Sequence, residues 1–267
     1  KVPGVALKMY SKNAFPKHVP EQFAEWQRKV ASGDAKINSN TVDPYSVVEE
    51  FVNDTATAGQ KPTLEAFYHD QIAKFKAKFL KKYGADHIPS SVVVCDTSGS
   101  MTQHGGTPLN VAISMAIWIS SLAETDWKDI FFTFDHSPEI IDLSHCTGLE
   151  DRVATTKAAP WGGNTDLQAT FDLILSRAVS RKLTPEQMPR QLVIVSDMQF
   201  DAACGSHMYT NLDAITAKYR NAGYPRPEIV FWNVAGTSTG APATANKSKL
   251  PPTRTRASRT PPWTRAS

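Results

Sequence analysis

The chain has 267 residues, of which 41% are apolar, so it can bury a full core in one large domain or in a domain with an appendage. Its net charge of +3 comes from its C-terminal end, because residues 246–267 hold six basic residues and no acidic one, which leaves −3 for residues 1–246. The charge therefore gives no support for nucleic-acid binding by the folded part, and no apolar stretch approaches the roughly 18 residues that a membrane helix needs.

The cysteines and the start of the chain bear on its processing and compartment. Cys95, Cys146 and Cys204 are odd in number and share no CxxC spacing, which argues against a zinc site or an even disulfide framework. A reducing, cytoplasmic compartment fits this pattern best. Because Lys1 replaces an initiator Met and no apolar signal core follows, we expect a fragment or a processed form of a longer protein.

Helices are predicted throughout residues 1–88. The longest has one apolar face at helical spacing, which consists of Leu64, Phe67, Ile72, Phe75, Phe79 and Tyr83. Its lysines are interpreted as a solvated face near the helix C-terminus rather than as a phosphate-binding patch. The predicted boundaries are Pro20 and Ser32 for the first helix, Asp43 as N-cap and Pro44 for the start of the second, and Thr63 as N-cap and Gly84 as the end of the third.

After Pro89 the pattern changes to short apolar runs that alternate with amphipathic helices. Continuous apolar strands between helices are typical of a mainly parallel sheet that is covered on both faces, so we expect a doubly wound α/β fold preceded by a small helical region. Strands are predicted at 91–95, 130–134, 139–142, 192–195 and 229–232, and helices at 108–123, 166 to about 180, and about 212 to 221.

The chain is therefore divided into three predicted parts. A helical region covers residues 1–88 and an α/β domain covers residues 89–240. Residues 241–267 are rich in Thr, Ser, Ala, Pro and Arg, and the tetrapeptide Thr-Arg-Ala-Ser occurs twice. We expect this basic, low-complexity tail to be disordered, because it holds too few apolar residues to form a core.

Polar residues follow two of the predicted strands at their carboxyl ends, where ligands bind in parallel α/β sheets. Asp96, Ser98 and Ser100 form an Asp-x-Ser-x-Ser pattern after the first strand, and Asp197 follows the fourth. Hard cations such as Mg²⁺ and Mn²⁺ prefer oxygen donors of these kinds. The Asp-x-Ser-x-Ser pattern alone is weak support for a metal site, because short polar turns after strands are common.

A Gly-rich loop at 161–166 supplies a third hydroxyl, that of Thr165, before the next helix. We interpret Asp166 in the same loop as an acid at the helix N-terminus rather than a ligand. The ordered set of Asp-x-Ser-x-Ser, a later Thr and a later Asp resembles the metal-ion-dependent adhesion site (MIDAS) of the von Willebrand factor A superfamily. The predicted metal residues are Asp96, Ser98, Ser100, Thr165 and Asp197.

This resemblance implies a Rossmann-like A domain that binds Mg²⁺ or Mn²⁺. The two serines are expected to contact the metal directly, Thr165 directly or through water, and the two acids often through water, so that the acids mainly orient the site. An ion held by few direct carboxylates is undercompensated and attracts an external anion. The implied partner is a protein that presents a carboxylate.

A narrower resemblance extends over most of residues 1–240. The segments 94–101, 161–166, 171–175, 196–201 and 227–233 look like an uncharacterised family of plant, protist and giant-virus proteins. That family joins a helical region similar to the TROVE module of Ro-type RNA-binding proteins to a C-terminal A-like domain. The chain departs from it after Trp232, where the basic tail replaces the expected further strand and closing helix.

Two other functions compete with metal-dependent protein binding. The TROVE-like region suggests an RNA-binding scaffold, although residues 1–88 lack a dense surface of basic and aromatic residues. A metal-dependent phosphatase-like enzyme is the third possibility. Such phosphatases need a second acid two residues after the first, and Ser98 occupies that position here. We therefore expect a binding protein and not an enzyme.

Overall fold

A computed structural model describes residues 2–84, 86–134, 137–160, 166–197 and 202–234, without the side chains of His104, Thr125 and residues 202–211. The described residues form two compact units. The helical unit contains the residues up to Ile88 together with Cys146–Lys157, and the sheet unit contains Pro89–His145 and the residues from Ala158 onward.

The elements of the described residues follow the order helices, then alternating strands and helices. The helices are α1 (Gly4–Lys12), α2 (Ala14–His18), α3 (Pro20–Ala31), α4 (Pro44–Val52), α5 (Lys61–Tyr83), α6 (Thr107–Leu122), α7 (Leu149–Lys157), α8 (Leu167–Ser180) and α9 (Ala202–Asn221). The strands are β1 (Ser91–Asp96), β2 (Ile130–Phe134), β3 (Ile140–Asp142), β4 (Gln191–Ser196) and β5 (Glu228–Asn233).

Two of the helix caps predicted in residues 1–88 are present, the N-cap of α4 and the C-cap of α5. Asp43 caps α4 by accepting a hydrogen bond from the Tyr45 backbone N–H at 2.9 Å, and Pro44 occupies the first turn. Gly84 ends α5 with a left-handed φ of 60°, which glycine adopts at little cost. Helices α1 and α2 lie in the region predicted to be helical, but no boundaries were predicted for them.

The prediction that Thr63 caps α5 is wrong. The helix begins at Lys61, with Gln60 in the N-cap position. Thr63 lies inside the first turn, where its hydroxyl accepts a hydrogen bond of 2.9 Å from the Gln27 side-chain amide. The apolar face of α5 is buried at Leu64 and Phe67, whereas Tyr83 at its far end is 61% exposed.

Helix α7 belongs to the helical unit, although it lies between β3 and α8 in the chain. It contacts α4, and it buries Leu149, Val153 and Thr156. At its start the Leu149 backbone N–H donates to Glu65 of α5 at 2.8 Å, and at its end the Lys157 ammonium donates to the Val52 carbonyl at 3.0 Å. The helical unit therefore takes one of its helices from a remote part of the sequence.

The sheet has the strand order β3-β2-β1-β4-β5. Strand β1 is parallel to β2 and β4, β4 is parallel to β5, and only the short β3 is antiparallel to its neighbour. Each of the five predicted strands is present, with ends that differ by at most one residue. The last predicted helix begins about ten residues earlier than expected, at Ala202.

Helices cover both faces of the sheet, as the apolar strands predict. Val92 and Val94 of β1 and Ile194 of β4 join one core with residues of α8 and α9, including Phe171 and Tyr219. The alternate residues of these strands point to the opposite face, and α6 contacts β1, β2 and β4. The α/β class with a mainly parallel sheet is thus confirmed. In the described part of the chain, no helix combines the length and apolar character needed to cross a membrane.

Candidate cation site at the carboxyl ends of two central strands

The carboxyl ends of β1 and β4 are neighbours at the point where the winding of the sheet reverses. The chain passes from β1 to β2 and β3 on one side of the sheet, and then to β4 and β5 on the other side of β1. In α/β sheets, ligands bind outside the strand ends at such a reversal. Asp96 is the last residue of β1, and Asp197 directly follows β4. The fold therefore places both predicted acids at this edge.

Asp96 is buried and held by hydrogen bonds on both carboxylate oxygens. Its side chain is only 2% exposed. One oxygen accepts from the Ser98 backbone N–H at 2.9 Å, and the other accepts from the Ser196 hydroxyl at 2.5 Å. The second bond joins β1 to β4 across 100 positions of sequence. The orientation of the carboxylate is therefore fixed by one donor from the loop after β1 and one from β4.

The two predicted serines lie beside each other. A 3₁₀ turn over Gly99–Thr102 follows Ser98, and it brings the hydroxyl oxygens of Ser98 and Ser100 to 3.0 Å from each other. Both residues are half-buried, whereas Asp96 is enclosed. The turn thus presents two adjacent oxygen donors at the end of β1.

Asp197 is 3% exposed, and its backbone N–H donates to the thioether sulfur of Met101 at 3.3 Å. Met101 belongs to the turn after β1 and is completely buried. Like the hydrogen bond between Ser196 and Asp96, this contact connects the end of β4 with the end of β1 or the turn that follows it. Four predicted residues, namely Asp96, Ser98, Ser100 and Asp197, therefore lie at one edge of the sheet.

Burial raises the pKa of Asp96 above its ordinary value. Hydrogen bonds from Ser196 and Ser98 oppose this effect, and the negative charge of Asp197 adds to it. An ionised Asp96 therefore carries a desolvation cost in the metal-free fold. A bound cation would offset that cost by stabilising the carboxylate.

The metal-free protein should consequently respond to Asp96→Asn in a pH-dependent way. A raised pKa in the folded state stabilises the fold at low pH, and this contribution is lost as the pH rises through the folded-state pKa. In chelator at pH 7 we expect the variant to melt at or above the wild-type temperature. This difference in melting temperature should become smaller as the pH is lowered toward the ordinary aspartate pKa of about 3.9. A variant that melts lower at pH 7 would show that the hydrogen bonds to the carboxylate outweigh its burial.

Thr165 and the rest of the predicted loop at 161–165 lie outside the described residues. The adjoining Asp166 caps α8, since its carboxylate accepts a hydrogen bond from the Ala169 backbone N–H at 2.9 Å. The interpretation of Asp166 as a helix N-terminal acid is thus confirmed. Among the described residues, those of this edge included, no three His, Cys, Asp or Glu side chains come together as a metal-binding group. Any ion at this edge would depend on hydroxyl oxygens.

Ser196 and Thr97 were not among the predicted site residues. Ser196 is fully buried, and Val94 and Cys95 of β1 pair with Ile194 and Val195 of β4, so the same register places Ser196 beside Asp96. The buried Thr97 hydroxyl has no hydrogen-bond partner among the described residues. Each residue adjoins a predicted acid in the sequence, but nothing in the local sequence shows which contact its hydroxyl makes.

An α/β domain with a polar site at the reversal of its sheet is the class of protein that this geometry defines. Residues 90–251 match the family described as "Domain of unknown function (DUF7788)", and the chain belongs to that family. It is also similar to "Uncharacterized protein L728" of Acanthamoeba polyphaga mimivirus, with 28% identity over 268 residues. The match covers 94% of this chain and 42% of the viral protein, so the chain spans less than half the length of that relative. The predicted similarity to an uncharacterised family and to a giant-virus protein is thus confirmed, whereas the TROVE-like and A-like identities stay predictions.

Proposed function

We propose that the sheet unit is a von Willebrand factor A-like domain that binds Mg²⁺ or Mn²⁺ and, through the ion, a carboxylate of a partner protein. The observation that carries this proposal is the pair of hydroxyls from Ser98 and Ser100, 3.0 Å apart, beside the buried Asp96 at the carboxyl end of β1. Asp197 from the adjacent strand end completes the described part of the site. Thr165 is proposed as a further ligand from the resemblance.

The spacing of the two hydroxyls suits a small octahedral ion. Oxygens on adjacent corners of an octahedron with Mg–O distances of 2.0–2.1 Å lie about 2.9 Å apart. The hydroxyl oxygens of Ser98 and Ser100, which form a hydrogen bond with each other, are 3.0 Å apart, so both can bind one Mg²⁺ with little change in their separation. Hydroxyl and carboxylate oxygens are also the donors that such hard cations prefer.

The charge of the site favours binding to an external anion. The hydroxyls of Ser98 and Ser100 are neutral donors, and Asp96 already accepts one hydrogen bond on each carboxylate oxygen. A divalent ion bound through the hydroxyls therefore keeps much of its charge uncompensated at short range. A carboxylate from a partner would supply a direct anionic ligand, which is why we propose protein binding rather than catalysis.

Calorimetric titration with Mn²⁺ tests the metal site. We expect one site in the wild-type chain and no measurable binding in the Ser98→Ala/Ser100→Ala double variant, because both direct donors are removed. Thr102→Ala is a matched control, since it removes an exposed hydroxyl from the same turn that donates to the Gly99 carbonyl. Equal Mn²⁺ binding by the wild type and the double variant would refute the assignment.

The carboxylate partner is tested with immobilised peptides that contain Asp or Glu, compared with matched peptides that contain Asn or Gln. Binding of the acidic peptides should require Mn²⁺, and it should be lost in chelator and in the double variant. Binding that ignores the chelator would contradict an ion-mediated contact even if the metal site itself exists.

RNA binding by the helical unit is the second candidate. The C-terminal half of α5 carries five lysines at 74, 76, 78, 81 and 82 and no acidic residue between 71 and 84. Phe79 and Tyr83 lie on the same helix with ring centroids 4.7 Å apart, and the Lys82 ammonium lies 5.0 Å from the centre of the Tyr83 ring. Basic and aromatic side chains together are typical of single-strand binding. RNA binding of this kind would persist in chelator and weaken steeply with salt.

A further inference from the structure

The hydrogen bond between Ser196 and Asp96 joins two residues that are 100 positions apart in sequence and lie on neighbouring strands. The Ser196 side chain is fully buried, and its hydroxyl donates to the Asp96 carboxylate from the neighbouring strand. A hydrogen bond to an ionised group is shorter and about twice as strong as one between neutral groups. Ser196 therefore contributes to the site without being one of the residues that the resemblance supplies.

The carboxylate of an aspartate needs such an external contact to take one orientation. Rotation about its terminal bond is broad and roughly two-fold, so the rotamer alone does not fix the carboxylate plane. In this chain the Ser98 N–H holds one oxygen and the Ser196 hydroxyl holds the other. One donor from the loop after β1 and one from β4 fix the plane, and with it the direction of the lone pairs that remain.

We propose that Ser196 is a positioning residue of the cation site, which acts by orienting the Asp96 carboxylate toward the ion or its bound water. This inference rests on the proposed function, because it assumes an ion at Ser98 and Ser100. Groups that orient metal ligands typically change metal affinity by about 10-fold to 100-fold when they are removed. The loss of the Ser196 hydroxyl should fall in this range.

If Ser196 had a purely structural role, its removal would have a different effect on metal affinity and on stability. A buried carboxylate is stabilised by any hydrogen bond, so removal of the hydroxyl would then lower the stability of the fold and leave the affinity for the ion unchanged. Thr133 offers a matched comparison on β2. It is fully buried, and its hydroxyl oxygen accepts a hydrogen bond of 2.9 Å from the Glu139 backbone N–H.

The test is calorimetric titration of the full chain with Mn²⁺, together with thermal melts in chelator. We expect Ser196→Ala to weaken Mn²⁺ binding by about 10-fold to 100-fold, Ser196→Thr to restore most of the affinity, and Thr133→Ala to lower the melting temperature without weakening Mn²⁺ binding. If Ser196→Ala fails to fold, Ser196→Cys replaces it, and its weaker donor should also bind Mn²⁺ less tightly than the wild type.

Three results would overturn the inference. Wild-type affinity in the folded Ser196 variant would show that the hydroxyl has no positioning role, and an equal loss of affinity in Thr133→Ala would show a general loosening of the sheet. In both cases the metal site of the wild type, and with it the proposed function, would stand. Absence of Mn²⁺ binding by the wild type would instead refute the proposed function and this inference together.

Discussion

Replacing Phe171 with Ala should lower the free energy of unfolding of the sheet unit by about 3–5 kcal/mol. Phe171 of α8 is completely buried in the core between the helices and the sheet. Its ring meets Tyr219 of α9 edge-to-face with centroids 5.9 Å apart, and the Arg226 guanidinium lies 5.9 Å from its centre. Removal of the ring leaves a cavity that these neighbours fill only in part, so the contacts are lost without replacement.

A matched control is available in the same helix. Val179 is 52% exposed, so Val179→Ala should change the free energy of unfolding by no more than about 0.5 kcal/mol. Urea denaturation combined with hydrogen exchange of the β1 and β4 amides measures both effects in the sheet unit. A loss below about 1 kcal/mol for Phe171→Ala would contradict the packing of α8 against the sheet.

The strands of the sheet could be predicted closely because their sequences have one physical interpretation. The run at 130–134 is apolar except for Thr133, and β2 is buried at every position. A strand with apolar side chains on both faces is stable only where both faces of the sheet are covered. Sheets covered on both faces are mainly parallel, so the sequence also predicts a mainly parallel sheet. The strand order could not be predicted, because the local sequence does not show on which side of β1 the later strands β4 and β5 lie.

Helices with weaker amphipathic patterns were missed or misjudged. Helix α7 contains four charged residues in nine, and only three of its side chains are buried, so its sequence gives little periodic signal. Thr63 looks like an N-cap because its type is common there, yet the chain uses Gln60 in that position without a side-chain hydrogen bond. Pro62 in the first turn of α5 was the better indicator of where the helix begins.

Four of the five predicted metal residues lie at one edge of the sheet, and Ser196 forms a hydrogen bond to one of them. Asp96, Ser98 and Ser100 are close in sequence, so a local pattern was enough to group them. Ser196 acts across a strand pair, and only the register of β1 against β4 brings it to Asp96. Contacts that arise from register have no local signature, which is why residues of this kind are found in structures rather than in motifs. The participation of Thr165 and the binding of an ion remain predictions.

Because α7 belongs to the helical unit, a core substitution in α7 should destabilise that unit. Leu149 is completely buried at the start of α7, and the helix contacts α4 although about 100 positions of sequence separate them. Leu149→Ala should therefore lower the free energy of unfolding of the helical unit by about 2–5 kcal/mol. The change lies in the part of the chain between two strands, but its consequence is expected in α4 and α5.

Hydrogen exchange of the full chain distinguishes this outcome from its alternative. We expect Leu149→Ala to reduce the protection of amides in α4 and α5 while those of β1 and β4 keep theirs, because the lost contacts belong to the helical unit. Glu150→Ala is the control in the next position, since it removes an exposed first-turn acid of α7 and its ion pair with Lys61, whose side chains are 59% and 37% exposed. Such exposed pairs contribute at most about 1 kcal/mol. If Leu149→Ala instead lowers protection in β1 and β4 alone, α7 is stabilised by the sheet unit and its assignment to the helical unit is wrong.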